Sequence, residues 1–139
     1  ITDKKNTSDA EAMSYSMLAF AGANLDSTGV VTAAEVAKMN LRECDLVALS
    51  ACETGLGKMG TDGVIGLQRG FKNAGVHTLL MSLKNVYDNS TAELMICFYR
   101  NLMAGESKRK ALIKAKQELR SKGYTEAKHW ATFVLLDAF

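Results

Sequence analysis

The sequence has no proline and no long hydrophobic stretch. Proline is absent from all 139 residues, and we connect no function with that absence. The longest apolar runs are far shorter than the roughly 20 residues that a membrane-spanning helix needs, and no secretory signal peptide is visible. We therefore expect no membrane partner. Because the first residue is Ile1 rather than Met, we also expect the chain to be a piece of a longer protein.

Neither sign of charge dominates the composition. The 17 basic and 15 acidic residues give a net charge of +2, which indicates no strongly charged partner. Six of the basic residues in the predicted helix over 107–122 form a face that we interpret as a solvated surface and not as a nucleic-acid site. These residues are Lys108, Arg109, Lys110, Lys114, Lys116 and Arg120.

Cysteine and histidine are scarce and irregularly spaced. The three cysteines, Cys44, Cys52 and Cys97, are an odd number and do not suggest a disulfide framework. Reduced thiols in a cytoplasmic compartment are the simpler interpretation. No C-x-x-C pair is present, and His77 and His129 stand alone, so we predict neither a metal nor another cofactor. We interpret both histidines as structural or surface residues.

Four short apolar runs predict buried strands. Each is apolar at consecutive positions, which is typical of strands covered on both faces, as in parallel sheets. The runs are Met17–Ala21, Leu46–Ser50, Thr78–Leu83 and Thr132–Leu136. Helical patterns separate them, and the order predicts an α/β fold with a mainly parallel sheet. The length suits one domain, which we place at 16–139 after a flexible lead-in over 1–15.

Local signals mark the ends of several helices. Thr32 with Glu35, and Ser90 with Glu93, have the spacing of a capping box, and Gly105 is a plausible helix stop. The first of these pairs opens a helix predicted over 32–39. Two further helices are predicted over 64–74 and 107–122. The helix over 107–122 should face inward with Ala111, Leu112, Ala115 and Leu119. In the helix over 64–74, two glycines are placed to matter for packing. Gly66 and Gly70 would allow this helix to approach a sheet closely.

Cys52 occupies the most informative position in the chain. It falls just past the carboxyl end of a predicted central strand, at the edge of an α/β sheet where ligands and catalysis gather. Glycines follow at positions 55, 57, 60 and 63 and allow close approach of a ligand. A nucleophilic thiolate there would need partial exposure and a base within reach. The alternative is a small buried residue beside a strand.

The same glycines also raise the possibility of nucleotide binding. Residues 55–60 fit the dinucleotide pattern G-x-G-x-x-G, and a predicted helix follows. The pattern begins five residues after Ser50 rather than directly on the strand end, and Asp62 would place a negative charge near the phosphates. Nucleotide binding therefore remains a distant alternative.

Three long segments resemble the CHAT domain, a caspase-like cysteine peptidase family that is often fused to tetratricopeptide repeats. They read LVALSACETGLG, DGVIGLQRGFKNAGVHTLLMSL and STAELMICFYRNLMAG, and the likeness extends over about residues 16–136. The resemblance implies a caspase-like three-layer sandwich, of which this fragment lacks the amino-terminal strand or strands. It also implies that Cys52 is the nucleophile, with an oxyanion held by its backbone N–H and by a glycine N–H.

The family's catalytic histidine belongs to a His-Gly motif that we expect upstream of residue 1. The fragment alone would then be inactive. A local departure also occurs, since Lys84 stands where the family commonly has tryptophan, in a region expected near the substrate cleft. We expect Asp88, Glu53 and Lys84 to contribute to substrate binding, and Asp88 to favour a basic residue before the scissile bond. The alternative is that Asp88 caps the following helix with Ser90.

The sequence thus predicts a cysteine endopeptidase domain that acts on a peptide or protein substrate. Tetratricopeptide repeats of the same parent protein are the expected regulatory partner. The second interpretation is a catalytically inactive CHAT-like module for protein interaction, which the lysine at position 84 and the missing histidine favour.

Overall fold

The structure is a computed structural model that describes residues 13–14, 16–21, 23–24, 29–50, 62–83 and 86–137. The side chains of residues 62–65 are not included in that description. Most of the predicted lead-in over 1–15 therefore lies outside the described residues. The described residues divide into two compact units. The first takes its residues from Ile1–Val47, Glu53–Leu79 and Leu136–Phe139, and the second from Ala48–Cys52 and Leu80–Leu135.

The described residues contain both strands and helices along the chain. The strands are β1 (Met17–Ala19), β2 (Val30–Thr32), β3 (Val47–Leu49), β4 (Thr78–Ser82) and β5 (Phe133–Asp137). The helices are α1 (Ala33–Val36), α2 (Asp62–Ala74), α3 (Asp88–Met103), α4 (Lys108–Ser121) and α5 (Ala127–Trp130). The α/β class predicted from the sequence is confirmed, and the four predicted strands match β1, β3, β4 and β5 within a few residues.

A three-stranded sheet has the order β3-β4-β5 and is mixed in direction. Leu83 N donates to Thr132 O at 3.0 Å, while Thr78 Oγ1 donates to Asp137 Oδ1 at 3.3 Å at the other end of β4. These two contacts pair the start of β4 with the end of β5, so the two strands are antiparallel. The parallel pair is β3 with β4, which are joined through α2 as parallel strands require.

A second, two-stranded sheet pairs β1 with β2 in antiparallel register, with Leu18 opposite Val31. The sequence did not predict β2. Its last residue, Thr32, caps α1, and the predicted capping box is confirmed: Glu35 N donates to Thr32 Oγ1, and Thr32 N donates to the Glu35 carboxylate. The predicted helix over 32–39 shortens to the single turn of α1.

Glycine ends the long helices in the same way. Gly105, the predicted stop of α3, has φ 91°, and its N–H donates to Leu102 O while Glu106 N donates to Asn101 O. This is the Schellman motif, which needs a left-handed residue that glycine adopts without strain. The same pair of bonds follows α2 at Gly75 and α4 at Gly123.

Each unit has its own buried apolar residues. In the first unit they are Ala33, Val36, Leu67, Phe71, Ala74, Val76 and Leu79. In the second they are Leu80, Met81, Leu94, Cys97, Phe98, Ala111, Leu112, Ala115, Leu119 and Phe133. The inward stripe predicted for α4, which is Ala111, Leu112, Ala115 and Leu119, is confirmed.

Three local predictions were wrong. Ser90 does not cap α3, because the helix begins two residues earlier at Asp88 and Ser90 is buried within its first turn. Gly70 approaches helix α1 rather than a sheet, since a Cβ at Gly70 would lie 2.6 Å from Ala33 O. Lys116 does not face out with the other basic residues: it is half-buried and donates to Phe133 O at 2.8 Å, and burial lowers its pKa.

Candidate functional site

One of the four predicted site residues lies within the described part of the chain. Cys52, Glu53 and Lys84 lie outside it, as do residues 51–61, which hold three of the four glycines that follow Cys52. Asp88 is exposed and is the first residue of α3. The geometry of the candidate site is therefore built around the start of α3.

The sheet places the strands that precede these residues side by side. Strand β3 ends at Leu49, three residues before Cys52 in the sequence, and β4 ends at Ser82, six residues before Asp88. Because β3 and β4 are parallel neighbours, their carboxyl ends lie at one edge of the sheet. That edge is where α/β folds commonly bind ligands. The described residues of 48–50 and of 80–135 also belong to the same compact unit.

The start of α3 is fixed without a side-chain cap. Tyr87 is the N-cap residue, with extended backbone angles, and no side chain accepts from the first turn. Ser90 Oγ instead donates back to Tyr87 O at 3.2 Å. The alternative that Asp88 caps α3 is therefore wrong. The Asp88 carboxylate lies in the first turn, where the helix dipole favours a negative charge.

His129 anchors this turn through Ser90. Its Nδ1 lies 3.1 Å from Ser90 Oγ, and Ser90 is almost fully buried. Since the single hydroxyl hydrogen of Ser90 is directed to Tyr87 O, Ser90 Oγ accepts and His129 Nδ1 donates. The imidazole ring also contacts Tyr87 and Tyr124, with ring centroids 5.1 and 5.3 Å away. His129 thus has a structural role at the candidate site.

A cation lies beside the same tyrosine. Lys128 Nζ is 5.5 Å from the centroid of the Tyr87 ring and 3.0 Å from the Glu126 carboxylate. The hydrogen bond with Glu126 raises the pKa of Lys128, and the hydrogen bond from Lys128 lowers the pKa of Glu126. Both groups are exposed, so the pair contributes little to stability.

Sequence reasoning did not find the contact between Ser90 and His129. The two residues are 39 positions apart, and neither belongs to a motif that would connect them. No sequence signal could have found the contact, because both residues stand in mostly polar segments, 88–93 and 125–130.

Of the two cysteines in the described residues, Cys97 is unsuited to nucleophilic attack. Cys97 is buried in α3, and burial together with its hydrogen bond to Glu118 raises the pKa of the thiol, which keeps it protonated. Cys44 is half-buried and its Sγ donates to Leu46 O at 3.5 Å. His77 is exposed on the surface, 4.0 Å from the Asp45 carboxylate.

Metal binding and membrane insertion find no support in the described ranges. Among these residues, no cluster of three or more His, Cys, Asp or Glu side chains is arranged to hold a metal ion. None of the described helices is long and apolar enough to cross a membrane.

Comparison with known proteins agrees with the resemblance. The family model of the CHAT domain matches residues 6–138. The human tetratricopeptide repeat protein 28 is 32% identical over 108 residues, which is 77% of this chain but only 4% of that relative. No solved structure matches the chain at a significant level. The chain therefore belongs to the CHAT domain family, a caspase-like peptidase family.

Proposed function

We propose that this chain is part of a cysteine endopeptidase domain in which Cys52 is the nucleophile. The observation that carries the proposal is the match of the CHAT family over residues 6–138, which includes the segment Ser-Ala-Cys-Glu-Thr-Gly at 50–55. The edge of the sheet supports it, because the strand before Cys52 and the strand before Asp88 end side by side.

The chemistry follows from a thiolate and an imidazole. An imidazole supplied by the larger protein takes the proton of Cys52, and the sulfur attacks the carbonyl carbon of the scissile peptide bond. The same imidazole then protonates the leaving amine, which releases one product and leaves a thioester. Water cleaves the thioester and restores the thiol. Backbone N–H groups, including that of Cys52, stabilise the oxyanion in both steps.

Substrate selection is assigned to Asp88, Glu53 and Lys84. Asp88 is exposed, and the turn that carries it is anchored by the contact between Ser90 and His129. A carboxylate held in this way pairs with the cation of an Arg or Lys residue. We therefore propose that Asp88 favours a basic residue before the scissile bond, with Glu53 adding negative charge and Lys84 restricting neighbouring positions.

Regulation by attached repeats is the proposed context of the reaction. The chain spans 4% of the length of a human relative that is named for its tetratricopeptide repeats. We propose a parent protein in which such repeats control access of a peptide or protein substrate to Cys52. Cys44 and Cys97 are free thiols, which agrees with a cytoplasmic location.

The second candidate function is an inactive module for protein interaction. The specific observation that favours it is Lys84, which replaces the tryptophan that the family commonly carries near the cleft. A charged residue there would alter or remove a substrate pocket.

Covalent labelling of the full-length parent protein separates the two functions. An electrophilic peptide probe with arginine at the residue before its reactive group is added to the wild type, to Cys52→Ala and to the control Cys44→Ala. The proposal expects labelling of the wild type and of Cys44→Ala, and none of Cys52→Ala. Labelling that persists in Cys52→Ala excludes Cys52 as the nucleophile, and no labelling of any protein favours the inactive module.

The role of Asp88 is tested with the same probes. Asp88→Ala should lose the preference for arginine over norleucine probes, whereas Asn89→Ala, the exposed neighbour on α3, should retain it. An equal preference in both variants would remove Asp88 from substrate selection while leaving the role of Cys52 intact.

A further inference from the structure

The start of α3 carries a half-exposed aromatic ring next to an exposed carboxylate. Tyr87 has 51% of its surface accessible, and the following residue, Asp88, is exposed as well. The Tyr87 ring contacts the His129 ring at a centroid distance of 5.1 Å, and His129 is itself held by Ser90. Because this contact restrains the ring, Tyr87 offers an aromatic surface to a ligand in a defined position.

A cation of the chain already lies on this ring. Lys128 Nζ is 5.5 Å from the centroid of the Tyr87 ring and 3.0 Å from the Glu126 carboxylate, so one ammonium contacts an aromatic ring and a carboxylate together. Aromatic rings and carboxylates are the groups that proteins commonly use to recognise cations. The hydrogen bond with Glu126 raises the pKa of Lys128, which keeps its ammonium charged. The ring and the carboxylate therefore suit a cationic ligand.

The contacts of Lys128 are weak enough for exchange. The side chains of Lys128 and Glu126 are 45% and 67% exposed, and water competes for both charges in a pair of this kind. A cation over an exposed ring gains only a small further stabilisation. A second cation that makes better contacts can therefore replace Lys128 at little cost.

Arginine makes better contacts with such a site than lysine does. Its guanidinium is planar, so it stacks on an aromatic ring and donates two parallel hydrogen bonds to a carboxylate, whereas an ammonium acts as a compact point charge. The chain contains one example of this stacking, since Arg120 Cζ lies 5.0 Å from the centroid of the Trp130 ring. A ligand with arginine should therefore displace Lys128 more readily than a ligand with lysine.

We propose that the Tyr87 ring and the Glu126 carboxylate, beside Asp88, bind an arginine side chain of the substrate, and that Lys128 occupies this site until the substrate displaces it. The inference rests on the proposed preference for a basic residue and adds the aromatic contact and a further acidic contact to it. It also makes Lys128 an internal competitor. A neutral side chain gains nothing by displacing Lys128, so the competitor affects basic substrates alone.

A simpler interpretation treats Lys128 and Glu126 as an ordinary surface pair. Lys128 would then act on a basic ligand only by repulsion through solvent, and that repulsion does not depend on the Tyr87 ring. The two interpretations differ in the coupling between the residues. Competition for the ring decreases when the ring is removed, whereas repulsion persists.

Equilibrium binding tests the site without requiring catalysis. The protein is the full-length parent with Cys52→Ala, and the probes are fluorescein-labelled tetrapeptide amides that differ at one residue, which is arginine, lysine or norleucine. Fluorescence anisotropy should give the strongest binding for arginine and the weakest for norleucine. Lys128→Gln should tighten binding of the arginine peptide about two- to fivefold and leave the norleucine peptide unchanged. The matched control is Lys114→Gln, which removes another exposed lysine paired with a glutamate and should change neither peptide.

Variants of the ring separate competition from repulsion. In the Lys128→Gln background, Tyr87→Leu should weaken binding of the arginine peptide about two- to fivefold, while Tyr87→Phe, which keeps the ring, should stay within about twofold. Conversely, Lys128→Gln should lose most of its effect once Tyr87→Leu has removed the ring. Glu126→Gln should reduce the difference between the arginine and norleucine peptides. Circular dichroism checks that each variant is folded.

The proposal is overturned if the arginine peptide does not bind, or binds no better than the norleucine peptide. It is also overturned if Lys128→Gln has no larger effect than Lys114→Gln, or if the gain from Lys128→Gln is the same with and without the ring. Covalent labelling of Cys52 is a separate measurement. The expected binding differences without labelling would support the cation site and reject the nucleophile, whereas labelling without those differences would reject the cation site alone.

Discussion

The two units of the chain hold their helices together in opposite ways. In the first unit, α1 and α2 meet where Gly70 has no side chain, so closely that a Cβ there would lie 2.6 Å from Ala33 O. In the second unit, α3 and α4 meet through large side chains that are completely buried, including Leu94, Phe98 and Leu119. The contact between α1 and α2 depends on the missing side chain of Gly70, whereas the contact between α3 and α4 depends on large buried side chains.

This difference determines which substitutions each unit tolerates. Removing volume should damage the α3–α4 contact, because the core around it is close-packed and a cavity is costly. Adding volume should damage the α1–α2 contact, because the nearest atoms belong to the backbone and cannot rotate away. Four predictions, argued in order of decreasing effect, test this comparison.

The largest effect is expected for Phe98→Ala. Phe98 is fully buried in the second unit, and truncating a buried phenylalanine costs about 3–5 kcal/mol in the free energy of unfolding. Urea unfolding followed by circular dichroism measures the change. Met103→Ala on the same helix is the control, and because Met103 is 88% exposed, its effect should stay within about 0.5 kcal/mol. Similar losses in both variants would contradict the assigned inner and outer faces of α3.

The next effect is a loss of stability in Gly70→Ala. Alanine favours a helix over glycine by about 1 kcal/mol, so propensity alone predicts a gain. The collision with the Ala33 carbonyl should outweigh that gain and give a net loss of about 1–3 kcal/mol. Lys72→Ala, at an exposed position of α2, is the control and should change stability by less than about 0.5 kcal/mol. If Gly70→Ala were stabilising, the close approach of α1 and α2 would be wrong.

A smaller effect is expected for Ser90→Ala at the start of α3. The substitution removes the bonds to Tyr87 O and His129 Nδ1 and should cost about 1–2 kcal/mol, because the site is buried. Ser121→Ala is the matched control: its hydroxyl also donates to a backbone carbonyl, that of Glu118, but at an exposed helix end. Its cost should be clearly smaller. Equal costs would show that His129 adds nothing to the first turn.

Much of the fold follows from the sequence because apolar periodicity reports burial. The runs that became β3, β4 and β5 are consecutive apolar residues, and the stripe of α4 repeats every three or four positions. Strand β2 was missed because Val30–Thr32 is only three residues long and precedes a strong helix cap. The cap of α3 was placed three residues late, at Ser90 instead of Tyr87, because Ser90 and Glu93 have capping spacing, while the side chain of Ser90 bonds Tyr87 O and His129.

The candidate site is less predictable because it depends on contacts between distant residues. Cys52 was identified from its position after a strand and from the family resemblance. His129 was interpreted as structural or surface, but its partner Ser90 could not be named, since no spacing rule connects residues 39 positions apart. Asp88 was predicted near the site from the family resemblance, and its role remains a proposal.

The smallest effect concerns the capping box of α1, which has no equivalent at the start of α3. The Thr32 N–H donates to the Glu35 carboxylate at 2.8 Å, and this bond is the largest cause that lowers the pKa of Glu35 below its usual 4.5. A carboxyl whose pKa is lower when folded stabilises the protein above its unfolded pKa, and that contribution disappears as pH falls through the folded value. Glu35→Gln should therefore reduce stability slightly near neutral pH and lose its effect in acid.

Thr32→Ala keeps the backbone donor and should retain most of the pH dependence. Urea unfolding across this range measures both, and a Glu35→Gln effect that is independent of pH would contradict the assigned role of the carboxylate.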